Sequence, residues 1–134
     1  MKEITVRAMD EELNNVIAFV TEELETVDCP MKTQMQIEVA VEELFVNIAH
    51  YAYTPNIGDA TIQVDINDAR ELTVTFIDSG MQYDPLAKPD PDVTLSVEQR
   101  KIGGLGIYMV KKSMDDMRYR YEGGKNILTI VKKV

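Results

Sequence analysis

The succession of strand-like and helix-like patterns is the feature that most constrains the fold of this chain. An alternating run over residues 2–8 precedes two helical patterns. Two alternating runs, a long irregular stretch, a helical pattern and two more alternating runs follow. Short polar links join the later runs in pairs, which predicts hairpins. The pattern predicts an α/β two-layer sandwich, with a mixed, mainly antiparallel sheet covered by helices on one face.

Capping and turn residues set the predicted boundaries of these elements. Asp10 is the predicted N-cap of the first helix, and the second helix is predicted to run from Met31 to Tyr53. A turn at Glu122-Gly-Gly-Lys125 is predicted to join the last two strands. The predicted strands of the two hairpins cover residues 61–66, 72–77, 117–121 and 126–131.

Composition narrows the classes of function. The 134 residues fit one domain, and they contain no apolar run long enough to cross a bilayer. A net charge of -9 disfavours nucleic acid or an anionic membrane as the main partner. The first ten residues lack the apolar stretch of a signal peptide and Cys29 is a lone cysteine, so a cytoplasmic location is expected.

Glu43 and Asn47 are four residues apart in the predicted second helix, so their side chains share one face. An amide oxygen is a hard neutral ligand suited to magnesium, and a carboxylate one turn earlier can accept a proton from an attacking hydroxyl or water. Taken alone, the pair is better explained as a solvated glutamate and a locally hydrogen-bonded asparagine. Glu42 points about a hundred degrees away and is predicted to lie on the surface.

Asp78 ends a predicted strand and is followed by Ser79 and Gly80. A carboxylate at a strand end can accept a hydrogen bond from an exocyclic amino group, which adenine carries. A glycine two residues later lets the backbone approach a planar ring. An ordinary Asp-Ser-Gly turn is the alternative interpretation.

A glycine-rich segment precedes the third predicted helix. Successive amides and a helix N-terminus form an anion site, although a flexible hinge would have the same composition. Arg100 and Lys101, just upstream, could reach a terminal phosphate or could simply be solvated charges. The segment consists of Gly103, Gly104, Leu105 and Gly106.

Three further residues are candidates for the same site. His50 follows Asn47 by three residues and could line the same site, but a partly buried structural histidine is the better interpretation. Tyr83 begins a turn at the start of the irregular stretch. Thr129, on the last strand, could place a hydroxyl near the base, and a threonine in a strand is also unremarkable.

Taken together, these segments resemble the sequence boxes of Bergerat-fold (GHKL) ATPases, the superfamily of gyrase, histidine kinases and MutL. Glu43-x-x-x-Asn47 resembles the N-box, and Asp78-x-Gly80 and Gly104-x-Gly106 resemble the two glycine boxes. The short length and the residues around both glycine boxes are most similar to anti-sigma-factor serine/threonine-protein kinases of the RsbW and SpoIIAB type.

The resemblance implies a role for each matched residue. Glu43 would be the general base, Asn47 the magnesium ligand and Asp78 the adenine acceptor. Gly80 and the two glycines of the second box would shape the ATP pocket. The whole chain, residues 1–134, would be a single ATP-binding kinase-like domain, with an ATP lid at about residues 86–103.

The resemblance also implies a function. Kinases of this type use ATP and Mg²⁺ to phosphorylate a serine on a small STAS-domain antagonist. They hold a sigma factor when that antagonist is unavailable, and they are typically homodimers. Two alternatives stay open: a non-catalytic, nucleotide-dependent binding module that sequesters a regulatory protein, and a stand-alone histidine-kinase-type ATPase domain. The latter would need a separate acceptor protein, because no phosphoacceptor helix pair is expected before residue 28.

Overall fold

Five strands and three α-helices form the part of the chain described by the computed structural model. That part comprises residues 1–87 and 104–134, with residues 104 and 105 described by their backbone only. None of the described helices is long and apolar enough to span a bilayer. The elements are β1 (Lys2–Arg7), α1 (Leu13–Glu25), α2 (Met31–Asn47), β2 (Asp59–Ile66), β3 (Glu71–Asp78), α3 (Gly104–Ser113), β4 (Asp116–Glu122) and β5 (Lys125–Lys133).

The five strands form one sheet in the order β1-β2-β3-β5-β4, and each of the four pairings is antiparallel. Both predicted hairpins, β2–β3 and β4–β5, are present in that sheet. The predicted two-layer fold class is therefore confirmed. A parallel pairing, which a mixed sheet needs, does not occur among the described strands.

Chain direction explains why the described sheet is purely antiparallel. Two helices connect β1 to β2, so the chain returns in the opposite direction. Helix α3 is the one described α-helix between β3 and β4, and these two strands would be parallel if they were neighbours. Strand β5 lies between them and pairs with both, which makes every contact antiparallel.

The core lies between the helices and one face of the sheet. Helix α1 contributes Val16, Val20 and Leu24, which are four residues apart and are all at most 1% exposed. Strand β3 contributes alternate residues to the same core, as expected for a strand with one buried face. The largest fully buried side chains are Phe45, Phe76, Leu24, Ile37, Leu44, Ile62, Leu72 and Ile130.

The second helix changes its winding at its C-terminal end. The α-helix ends at Asn47 and continues as one π-helical turn over Ile48–Ala52. The predicted helix end at Tyr53 is thus nearly correct in position, but the spacing of apolar residues did not predict the π-helical turn. Single π-turns within helices occur frequently at functional sites.

Asp10 does not cap the first helix, contrary to the prediction. It is the first residue of a short 3₁₀ turn, Asp10–Glu12, which leads into α1. Its carboxylate oxygens lie 2.8 Å and 2.9 Å from His50 Nε2. Asp10 therefore links the start of α1 to the π-turn instead of binding the backbone of its own helix.

The core predicts a clear contrast between two positions on α2. Phe45 is 0% exposed, whereas Val39 on the same helix is 56% exposed. We expect Phe45→Ala to lower the free energy of unfolding by about 3–5 kcal/mol, because it removes a large buried side chain and leaves a cavity. The control Val39→Ala should change it by less than about 0.5 kcal/mol. Urea unfolding measures both, and equal effects would contradict this account of the core.

Candidate functional site

A cavity of about 440 Å³ lies between the C-terminal half of α2, the start of α3 and residues of the strands β3, β4 and β5. Its volume falls within the range of about 300–1,000 Å³ that is typical of small-molecule sites. Three polar side chains, Asn47, Asp78 and Asn126, reach into a wall that is otherwise largely apolar. The apolar wall includes Leu44, Ile48, Phe76, Met81, Ile107 and Leu128.

Asp78 is the buried acid of this cavity. It is the last residue of β3 and is only 7% exposed. Its Oδ1 accepts hydrogen bonds from the Gly80 backbone N–H at 2.9 Å and from Asn126 Nδ2 at 3.0 Å. Its Oδ2 has no donor within residues 1–87 and 104–134. The cavity therefore offers one unfilled carboxylate acceptor to a ligand.

Asn126 is a site residue that sequence reasoning missed. It lies directly opposite Asp78 in the β3–β5 register and is 6% exposed. Asn126 shares its strand face with Leu128 and the buried Ile130, because alternate residues of a strand point the same way. The sequence contained one signal for this residue, because Asn126 is a polar residue at an inward-facing position of a predicted strand.

Two tyrosines complete the polar end of the cavity. The Tyr119 hydroxyl donates to Asn126 Oδ1 at 2.5 Å, and the Tyr83 backbone N–H donates to the same oxygen at 3.0 Å. Burial raises the pKa of the Tyr119 hydroxyl, and the nearby carboxylates Asp84 and Asp78 act in the same direction. The hydroxyl consequently stays protonated and remains a donor. Both tyrosine side chains line the cavity.

Gly80 is required by a close backbone approach. A Cβ at this position would lie 2.3 Å from the backbone oxygen of Ala52, in the π-turn. The neighbouring Met81 N–H donates to that same oxygen at 2.8 Å. The Tyr53 hydroxyl accepts from the Ser79 N–H at 2.7 Å, which further fixes this loop. The segment after β3 is thus held tightly against the end of α2.

Of the two predicted helix residues, Asn47 is among the residues that line the cavity and Glu43 is not. Glu43 is partly buried one turn earlier. A Cβ at Gly106 would lie 2.3 Å from Glu43 Oε2, so this carboxylate touches the first turn of α3. Glu42 is exposed, as predicted. A glycine at position 106 makes room for the acid between the two helices.

His50 and Thr129 lie away from the cavity, and neither contacts its wall residues in the way that Gly80 and Gly106 contact the end of α2. His50 is exposed and bonded to Asp10, outside the cavity wall. Thr129 Oγ1 lies 3.2 Å from Thr75 Oγ1, on the sheet face opposite that of Leu128. The alternation of strand residues that brings Asn126 to the cavity turns Thr129 away from it. The expectation that these two side chains line the site is corrected accordingly.

Several predicted residues cannot be placed. Arg100, Lys101 and Gly103 lie outside the described residues, as do positions 88–103 of the predicted lid. Gly104 begins α3, and the side chain of Leu105 is likewise outside the description. The two described lid residues, Leu86 and Ala87, belong to a 3₁₀ turn at Pro85–Ala87.

The described donor groups favour a cation that is held mainly by a ligand. No cluster of three or more His, Cys, Asp or Glu side chains occurs within residues 1–87 and 104–134. Asn47 is a neutral oxygen donor, and Mg²⁺ commonly combines one or two protein oxygens with water and substrate phosphates. The residues present therefore fit a nucleotide-bound magnesium ion better than a magnesium ion bound by protein alone.

The contact at Gly80 generates a prediction. We expect Gly80→Ala to lower the free energy of unfolding by about 1–3 kcal/mol, because the added methyl group meets a backbone oxygen that cannot move independently. Ser79→Ala, at the exposed neighbouring position, should cost less than about 0.5 kcal/mol. Thermal or urea unfolding compares the two variants. A Gly80→Ala protein as stable as the parent would refute the close approach.

Comparison with known proteins identifies the family of this arrangement. The model of the histidine kinase-like ATPase domain matches residues 6–132. The serine-protein kinase RsbW of Bacillus cereus (strain B4264) is 29% identical over 96 residues, and that of Bacillus anthracis (strain CDC 684 / NRRL 3495) is 28% identical. Each match covers 69% of this chain and 59% of the relative, so the chain spans about three-fifths of the length of these relatives.

Solved structures agree on the fold. The RsbU and RsbW domains of a Mycobacterium tuberculosis protein superpose with a TM-score of 0.67 at 13% identity, covering 99% of this chain and 32% of that one. The SiaB-SiaC complex of Pseudomonas aeruginosa contains a chain with a TM-score of 0.62 at 13% identity, covering 98% of this chain and 89% of that one. The predicted resemblance to Bergerat-fold kinases of the RsbW type is confirmed, and the chain belongs to the histidine kinase-like ATPase domain family.

Proposed function

We propose that this chain is an ATP- and magnesium-dependent protein-serine kinase that regulates a partner-switching pathway. The observation that carries the proposal is the cavity itself, with the open oxygen of Asp78 at one end and Asn47 on the helix wall. Membership of a kinase-like ATPase family supports the same conclusion. In the proposal, residues 1–134 act as one ATP-binding unit with a lid at about residues 86–103.

The base would occupy the end of the cavity formed by the sheet. Asp78 Oδ2 is available to accept a hydrogen bond from the amino group of adenine, and a charged acceptor strengthens that bond. Phe76, Met81 and Leu128 provide an apolar wall against which a planar ring can pack. The shape and chemistry of this end suit an aminopurine.

The phosphates would extend toward α2 and α3. The first turn of α3 presents backbone amides at its N-terminus, which attract phosphate oxygens. A magnesium ion held by the phosphates and by Asn47 would neutralise developing negative charge. Glu43, which touches Gly106 at the start of α3, would accept the proton of the serine hydroxyl as it attacks. Positioning and charge stabilisation do most of the work in phosphoryl transfer.

The partner proposed for this chain is a STAS-domain antagonist protein. The support is that relatives of this chain are serine-protein kinases and that a structural neighbour was solved as a two-protein complex. A sigma factor as a second partner, a homodimeric assembly and a cytoplasmic location belong to the same proposal. A net charge of -9 suits protein partners with basic surfaces.

A non-catalytic binding module and a stand-alone histidine-kinase-type domain are the competing functions. Incubation with labelled ATP, magnesium and a STAS-domain protein from the same organism separates the three. Phosphoserine on the partner supports the kinase. Nucleotide-dependent complex formation without phosphoserine supports the module, and an acid-labile phosphohistidine supports the histidine-kinase type.

The proposed base can be tested with adjacent glutamates. Glu43→Ala should reduce phosphate transfer at least about 100-fold, because general base catalysis typically contributes that much, while ATP affinity stays within about threefold. Glu42→Ala is the matched control, since Glu42 is exposed on the other side of the same turn. Labelled-phosphate transfer and calorimetric titration measure the two effects. Equal transfer rates for Glu43→Ala and the parent would remove Glu43 from the mechanism.

The proposed base recognition can be tested by a nearly isosteric change. Asp78→Asn keeps an oxygen for Gly80 and Asn126 but turns an amide NH₂ toward the cavity, where it would oppose the adenine amino group. We expect ATP affinity to fall about 10- to 100-fold, as for the loss of a hydrogen bond to a charged group. Asp65→Asn, an exposed strand position, is the control. Undiminished ATP binding by Asp78→Asn would exclude this carboxylate from base recognition.

A further inference from the structure

Every donor and acceptor position of the Asn126 side-chain amide forms a hydrogen bond, which fixes the orientation of the amide. Nδ2 donates to Asp78 Oδ1 at 3.0 Å and to the Met81 backbone oxygen at 2.9 Å. Oδ1 accepts from the Tyr119 hydroxyl and from the Tyr83 N–H. An asparagine amide has two N–H bonds and two lone pairs, so all four are used. A flipped amide would turn its NH₂ toward the Tyr83 donor, so the pattern fixes the orientation.

This orientation decides which oxygen of Asp78 faces a ligand. Oδ1 is already occupied by Asn126 and by the Gly80 N–H, so it is unavailable to a base. Oδ2 alone remains without a donor within the described part of the chain. Asn126 thereby converts a carboxylate that could bind two donors into a single acceptor at a fixed place.

Single and double acceptors recognise different purines. Guanine presents two adjacent donors on its Watson–Crick edge, the ring N1–H and the 2-amino group, which match a carboxylate with both oxygens free. Adenine presents one donor there, its 6-amino group, beside the acceptor N1. A carboxylate with one available oxygen can accept the single donor of adenine. It can accept only one of the two adjacent donors of guanine. Leaving the second guanine donor buried without an acceptor would weaken binding by more than a typical hydrogen bond contributes, because the donor loses its hydration.

We propose that Asn126 is the positioning residue that makes the cavity select a 6-aminopurine over guanine. The inference rests on the proposed function, because it assumes that a purine nucleotide occupies the cavity. Asn126 acts through Asp78 and is not itself a catalytic residue. It also ties down the Met81 and Tyr83 backbone, so the wall that packs against the base is fixed by the same amide.

Two substitutions separate this role from a merely structural one. Asn126→Ser removes the long amide and frees Asp78 Oδ1 from one of its two donors. Asn126→Asp keeps the shape but places a second carboxyl group beside Asp78, where two ionised carboxylates would repel each other. The exposed Asn14, changed in the same two ways, provides matched controls. Calorimetry measures ATP affinity in the presence of magnesium, competition measures GTP affinity, and urea unfolding reports stability.

The expected result for Asn126→Ser is a change in selectivity. The ratio of ATP affinity to GTP affinity should fall about tenfold or more, because Asp78 is less firmly oriented toward adenine while its Oδ1 becomes able to accept a second donor from guanine. The Asn14 variants should keep the parent's ratio. A folded Asn126→Ser protein with a ratio within about twofold of the parent's would overturn the inference, even if its stability were reduced.

The expected result for Asn126→Asp is a new pH dependence. At neutral pH the two carboxylates repel, and protonation of the introduced group restores a donor to Asp78 Oδ1. ATP affinity relative to the parent at the same pH should therefore rise as the pH falls from about 8 to about 5.5. A constant relative affinity would overturn the inference. So would failure of both variants to fold with ATP present, since Asn126 would then be a structural residue only.

The outcome for the parent protein keeps the two hypotheses apart. A parent that binds no ATP refutes the proposed function. A parent that binds ATP while the folded Asn126 variants keep its selectivity and pH profile refutes only the role of Asn126.

Discussion

The site depends on one cross-strand pair, Asp78 and Asn126, which lies where the inner strand β3 ends and the inner strand β5 begins. The antiparallel register of β3 and β5 places these residues directly opposite each other and on the helix-facing side. Both are almost fully buried, and each satisfies the other's hydrogen-bonding capacity in part. Burying a carboxylate without a hydrogen-bond partner would lower the stability of the fold. The bond between Asp78 and Asn126 offsets that loss, and it also joins the ends of β3 and β5.

Close backbone contact joins this pair to the helical layer. Gly80 follows Asp78 and presses against Ala52, while Gly106 leaves room for Glu43 between α2 and α3. Each glycine lies where a side chain would collide with α2 or with the π-turn that follows it. The glycines of the two motifs therefore allow the β3 loop and α3 to approach the C-terminal part of α2 closely. The π-turn at Ile48–Ala52 supplies wall residues, including Ile48 and Tyr51.

The sequence was sufficient to predict the elements and to single out two polar residues, Asn47 and Asp78, that line one cavity. Periodicity identified the three helices and five strands, because one face of each is apolar. Spacing on a helix correctly put Glu43 and Asn47 on one side. Strand order was not predictable, since the insertion of β5 between β3 and β4 depends on long-range pairing. The same lack of register information favoured Thr129 over Asn126, and it left His50 without its distant partner Asp10.

The central place of β5 has a consequence for how the protein is made. Asp78 and Asn126 are separated by 48 positions, and β5 follows every other described strand along the chain. A ribosome adds roughly 5–20 residues per second, so Asp78 waits some seconds in the nascent polypeptide before its companion exists. Until then β3 lacks its β5 neighbour, and the cavity lacks Asn126 and Leu128. The cavity is therefore completed only after β5, which contributes Asn126 and Leu128 to its wall, has been translated.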